Sequence, residues 1–152
     1  QLVEGLLALD NDPADITVTV ISFNTDVDAP DADPPGRITT TLDDTTAIQG
    51  FLAGLTSNGF TNFEAALDSV EAALDEIPGS ESDTNILYFY SDGVPVLPNN
   101  GQQDIPAAVE DLEEAYPDLT RFGIGLGENA SETALGQVDS SGDATIVHAD
   151  GY

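Results

Sequence analysis

The stretch Asn85-Ile-Leu-Tyr-Phe-Tyr-Ser-Asp92-Gly-Val-Pro95 decides how the rest of this chain is read. An apolar and aromatic run without a charge stops abruptly at an aspartate, a glycine and a turn. A run of that length, bounded by turn residues, fits a buried strand. It delivers one carboxylate, Asp92, to the edge of a sheet. In open α/β sheets ligands bind outside the carboxyl ends of the strands, so Asp92 is the first candidate functional residue.

On either side of this strand the hydrophobic period changes to that of helices. Phe63, Ala66, Leu67, Val70, Leu74 and Ile77 recur at spacings of three and four, which predicts a helix from about Asn62 to Ile77. Thr61 and Glu64 read as a capping box at its start, and Pro78-Gly79 ends it. Ile105, Ala108, Val109, Leu112 and Tyr116 predict a second helix over 104–116, closed by Pro117. Strands are expected at Ile16–Phe23, Arg37–Leu42, Leu119–Gly125 and Ala144–His148, and shorter helices near Leu2–Leu9, Thr45–Leu55 and Ser131–Val138. Strands alternating with helices imply a doubly wound, mostly parallel α/β sheet. The short link from Phe23 to Arg37 implies an antiparallel strand at one edge.

Composition narrows the function. The 152 residues suggest a single domain with a real core, and the hydrophobic fraction of 40% is that of a globular protein. Asp and Glu number 29 against two basic residues, Arg37 and Arg121, for a formal charge of -27. Such a surface repels nucleic acid and anionic membranes, and it attracts cations. Its self-repulsion points to a salty or calcium-rich medium that screens it. The absence of cysteine removes disulfides, zinc–thiolate sites and thiol catalysis. No apolar run reaches transmembrane length, so membrane insertion is not expected. The chain opens on Gln1 with no signal peptide and is expected to be a piece of a longer polypeptide.

Three motifs occur in order: a strand ending Val20-Ile-Ser-Phe-Asn24; Asn58-Gly-Phe-Thr61-Asn-Phe-Glu-Ala-Ala-Leu67 opening a helix; and Leu87-Tyr-Phe-Tyr-Ser-Asp92-Gly-Val-Pro. Together they resemble a von Willebrand factor A domain, and Phe122-Gly-Ile-Gly-Leu-Gly127 is similar to that family's later strand. The resemblance covers 2–149 and implies one VWA-like, Rossmann-like domain over residues 1–152. It also implies a metal-ion-dependent adhesion site at the top of the sheet. There a divalent cation, Ca²⁺ or Mg²⁺, sits among oxygen ligands and accepts an acidic group from a partner. Thr61 corresponds to the family's second-loop ligand and Asp92 to its third-loop ligand. The family's first motif, Asp-x-Ser-x-Ser on a central strand, should precede Leu2. That strand is absent from this chain, so the fold is expected to be N-terminally incomplete, with a complementary segment or another chain filling the place. Phe60 also stands where the family usually has a second glycine.

Other features carry weaker chemistry. Asp26, Asp28, Asp31 and Asp33 alternate through a proline-rich loop, a spacing shared by calcium loops. The loop lacks their central glycine and terminal glutamate, so an additional calcium site and a solvated acidic loop both remain open. Asp139-Ser-Ser-Gly-Asp143 resembles the missing motif but follows a helix, and reads better as a polar turn. His148 is the lone histidine, and no Gly-x-Ser-x-Gly elbow accompanies it. Gly123, Gly125 and Gly127 fail the dinucleotide pattern because its third glycine falls on Glu128.

The expected function is binding, not catalysis: a divalent-cation-dependent adhesion module of a secreted or cell-surface protein, gripping a protein or glycan ligand that presents an acidic group. The resemblance is nearest to the A domains of bacterial repeat-rich, calcium-dependent (RTX-type) adhesins; a halophilic archaeal surface protein would share the composition. The alternative is a structural spacer or assembly domain with no working metal site. A hydrolase using acidic residues at the same edge is a third reading, for which no turnover is expected.

Overall fold

A computed structural model describes residues 15–24, 36–55, 60–80, 83–97 and 101–148. The expected helix at Leu2–Leu9 and the acidic loop with Asp26, Asp28, Asp31 and Asp33 lie outside the described residues. The chain is α/β and divides into two compact units, one of residues 1–22 and 27–58, the other of residues 23–26 and 59–152.

In the first unit, β1 (Thr17–Ile21) pairs antiparallel with β2 (Arg37–Thr41). The register runs from Thr17 opposite Thr41 to Ile21 opposite Arg37. Threonine, valine and isoleucine make up β1, and threonine dominates β2, as β-branched residues favour a pleated surface. Thr19 and Thr39 share a cross-strand hydrogen bond of 3.0 Å between hydroxyls. Asp44 caps α1 (Thr45–Gly54) by accepting from the Ala47 amide at 3.0 Å. Among the described residues of this unit, Leu42 and Ile48 are the buried apolar ones.

The second unit holds a parallel sheet in the order β3 (Ile86–Ser91), β4 (Thr120–Leu126), β5 (Thr145–Val147). Helix α2 (Phe63–Asp75) leads into β3, α3 (Ile105–Ala115) joins β3 to β4, and α4 (Glu132–Val138) joins β4 to β5. The two crossovers advance in the same direction across the sheet, which sends α3 and α4 to the same face. The buried core therefore lies on one side. Phe63, Ala66 and Leu67 of α2 meet Phe89 of β3, Ile105, Ala108, Val109 and Leu112 of α3, and Ala134, Leu135 and Val138 of α4. Phe23 completes it, edge-on to Phe63 at 6.0 Å between ring centroids and 5.1 Å from Phe89.

The glycines of β4 are explained by this packing rather than by a nucleotide. A Cβ on Gly123 would stand 2.4 Å from the Leu135 carbonyl oxygen, so α4 can rest on β4 only where the side chain is absent. Gly127 turns the chain out of β4 with a φ of 82°, which glycine adopts without strain.

The opposite face of the sheet carries Ile86, Tyr88 and Tyr90 on β3, Phe122, Ile124 and Leu126 on β4, and Val147 on β5, by strand alternation. Tyr88 stacks on Phe122 with centroids 5.2 Å apart. Ile86, Tyr90, Phe122, Leu126 and Val147 are exposed.

Two findings depart from expectation. The strands bond as two sheets rather than one, because no described strand pairs with both β1 and β3. The cap of α2 is also different. Asn62, not Thr61, is the N-cap, accepting from the Ala65 amide at 3.1 Å, and Glu64 accepts instead from the backbone amide of Asp104 at 3.0 Å. The local capping box is thus replaced by a bond between the starts of two helices.

Candidate metal-binding site

The site begins where β3 ends. Alternation turns Ser91 inward with Leu87 and Phe89, and Ser91 is buried while Asp92 is exposed. The Ser91 hydroxyl accepts from the Gly93 amide at 3.3 Å, a local turn that folds the chain back and leaves Asp92 at its apex.

The next residues reach the loop ahead of α2. The Thr61 amide donates to the Val96 carbonyl at 3.1 Å, and the Val96 amide donates to the Thr61 carbonyl at 2.9 Å, a reciprocal antiparallel bridge. The bridge brings the Thr61 hydroxyl against Gly93. A Cβ built at Gly93 would stand 3.4 Å from Thr61 Oγ1, an ordinary contact distance, so the hydroxyl lies beside the turn that follows Asp92. Two other segments arrive at the same end of the sheet. The Asn62 amide donates to the Asn24 carbonyl at 2.9 Å, and the amide of Ser131, the N-cap of α4, donates to the Gly93 carbonyl at 3.3 Å. The structure therefore brings together the three sequence motifs around Asn24, Thr61 and Asp92.

Gln103 fixes Thr61 from behind. Its Nε2 donates to the Thr61 carbonyl at 2.8 Å, while its Oε1 accepts from the amides of Phe63 at 2.6 Å and Glu64 at 3.4 Å. With Asn62 holding Ala65, the first amides of α2 are occupied by side chains. The amides of Phe63, Glu64 and Ala65 are thus not turned out to receive an anion.

The side-chain oxygens of Thr61 and Asp92 suit a hard cation. A carboxylate and a neutral hydroxyl are the ligand types Ca²⁺ and Mg²⁺ take, but either ion needs six or more oxygens. Thr61 and Asp92 supply two, and among the described residues no group of three or more aspartate, glutamate, histidine or cysteine side chains is placed to hold a metal. The two residues fit a cation in kind but are too few to make a shell by themselves. Asp26, Asp28, Asp31 and Asp33, the candidates for a further calcium, lie outside the described residues.

Asp139 is settled by its contacts. One carboxylate oxygen accepts from the Ser141 amide at 2.8 Å and hydroxyl at 2.6 Å, and the other from the Gly123 amide at 2.9 Å. Burial by itself pushes this carboxyl up. The bonds from Ser141 and Gly123, with the charge of Arg121, more than offset that and hold it below the usual carboxylate range. Its oxygens are spent on the protein, so residues 139–143 form a turn rather than a metal loop. His148 lies exposed just past β5.

Sequence reasoning placed Thr61 and Asp92 but missed Gln103, Val96 and Ser131. The Ser-Asp-Gly triplet signals the turn at Ser91; the partners of Thr61 lie 35 or more positions away in the chain and have no local signal. Among the described residues no helix is long and apolar enough to cross a membrane. In comparisons with known proteins, no family model matches the sequence, and no curated protein matches it.

Proposed function

We propose that this chain is a doubly wound, VWA-like domain that uses a divalent cation to hold an acidic group of a partner. The observation that carries the reading is the seating of the Thr61 hydroxyl against Gly93, next to Asp92, at the carboxyl end of a parallel sheet. The motif order gives the same assignment.

In this reading Asp92 supplies the formal negative charge and Thr61 a neutral oxygen. The bridge to Val96 and the clamp of Gln103 hold the Thr61 backbone in place before the ion arrives, which reduces the cost of ordering the loop. The surrounding charge of -27 raises the local cation concentration. The cation, when bound, supplies a coordination position for the partner's carboxylate. An acidic domain thereby gains an attraction for an acidic ligand that its own side chains would repel. A secreted or surface location, where calcium is abundant, suits this chemistry.

Calorimetric titration with Ca²⁺ and Mg²⁺ in concentrated KCl, which screens diffuse ion binding, tests it. Wild type is expected to show a saturable heat that Asp92→Ala abolishes and Thr61→Val weakens about tenfold or more. Asp92 is exposed, so circular dichroism and unfolding are expected to stay unchanged in Asp92→Ala. Identical isotherms for wild type and Asp92→Ala overturn the reading. They would favour the alternative of a spacer domain.

A further inference from the structure

The turn between β4 and α4 carries the sequence Asn129-Ala130-Ser131. Asparagine, then any residue but proline, then serine or threonine is the acceptor sequence for N-linked sugars. No other asparagine of the chain is followed two places on by serine or threonine. The structure gives the three residues different surroundings. Asn129 is exposed, and its carboxamide makes no hydrogen bond among the described residues. Asn62 and Asn85, by contrast, are committed to the Ala65 amide and the Ser80 carbonyl. Ala130 packs against the buried cluster, so the turn is held from beneath while Asn129 meets water. Ser131 is half-buried, and its hydroxyl oxygen accepts from the Ala134 amide at 3.2 Å as the N-cap of α4, a bond that leaves the hydroxyl proton available.

We infer that Asn129 is a site of N-glycosylation, taking an oligosaccharide from a lipid-linked donor through a transferase that reads the Ser131 hydroxyl. In the transfer Asn129 Nδ2 attacks the anomeric carbon of the donor's first sugar. The N–C bond forms as the bond from that carbon to the phosphate oxygen breaks. The lipid phosphate leaves with the electron pair, and one Nδ2 proton passes to a base of the transferase. A surface turn can present the acceptor without opening β4 or α4, and open solvent leaves room for a bulky, hydrated group. The Ser131 amide is bonded to the Gly93 carbonyl, so the sugar is carried on a turn tied to the one that follows Asp92. The inference shares with the proposed function only the export of the chain and requires no cation.

The test is peptide mass spectrometry on the full-length protein recovered from the cells that make it, with the cell interior and exterior sampled separately. The peptide containing Asn129 is expected to carry a sugar chain in the exported protein, and enzymatic cleavage of the N-glycosidic bond is expected to leave aspartate at position 129. Asn129→Gln and Ser131→Asp are both expected to abolish the modification. Aspartate is itself a good N-cap, so Ser131→Asp removes the acceptor sequence while keeping α4 capped, and Ser131→Thr, which keeps both, is expected to stay modified. An exported protein with a bare Asn129, or a modification that survives Ser131→Asp, overturns the inference and leaves the cation site untouched. A protein found only inside the cell overturns export and the modification together. Loss of the calorimetric Ca²⁺ and Mg²⁺ signal overturns the cation site alone, because Asn129→Gln is expected to leave that isotherm unchanged.

Discussion

Asp139 takes the place of a strand. The amides of Arg121 and Gly123 point away from β3, toward the side where β5 pairs with β4, but β5 pairs only from Ile124 onward. Ser140 Oγ accepts from the Arg121 amide at 2.9 Å and Asp139 from the Gly123 amide, so the turn after α4 serves the lower half of β4. The same turn closes around Arg121, which is buried, donates from Nε to the Val138 carbonyl at 2.9 Å, and pairs with Glu113. Asp139→Ala strips acceptors from the Gly123 and Ser141 amides and is expected to cost about 1–3 kcal/mol at neutral pH, read from urea denaturation. Because the folded carboxyl is held low, its contribution is present above the unfolded value of about 4 and fades as pH falls through the folded one. The gap between wild type and variant should therefore narrow below pH of about 4; a gap that stays constant would show that the charge is irrelevant. The local Asp-Ser-Ser-Gly pattern does not reveal this role, which depends on where β5 starts.

At the scale of elements, periodicity was a sufficient guide. The expected helix at 104–116 is α3, its five inward residues are all buried, and β3, β4, α4 and β5 fall within a residue or so of their expected limits. These are segments whose apolar spacing matches one period and whose ends carry proline, glycine or a cap. What could not be read were bonds between elements. Thr61-x-x-Glu64 has the spacing of a capping box, yet Gln103 and Asp104 arrive from outside the helix and take its place. The same holds for the site: its two candidate ligands were legible as motif positions, whereas the bridge and clamp that position Thr61 were not. Gln103→Ala removes acceptors from Phe63 and Glu64 and the donor to Thr61. It is expected to lower stability by about 1–2 kcal/mol and to weaken cation affinity in the same calorimetric assay. Unchanged affinity would separate the clamp from the site.

Over the whole molecule the dominant quantity is charge. With 29 acidic residues against two basic ones, folding concentrates like charges that the unfolded chain keeps apart. Asp68 on α2 records this locally, since burial and the nearby Glu64 and Asp111 raise its pKa. Added KCl is expected to raise the thermal midpoint by several degrees between low ionic strength and about 0.5 M, most steeply at the start where the screening length shortens fastest. A midpoint independent of KCl would mean that repulsion does not limit this fold.

The outer face of the β3–β4–β5 sheet responds to salt through a different force. Its described strand positions bear exposed Ile86, Tyr90, Phe122, Leu126 and Val147 and no carboxylate. Strongly hydrated salts increase the tendency of such apolar surface to leave water, and they also remove the repulsion that keeps two copies apart. Electrolyte thus tightens each molecule while it loosens the barrier between molecules. The conditions in which this chain is most resistant to unfolding are those in which it is closest to its solubility limit, and the distance between the two thresholds fixes the concentration at which it can be handled.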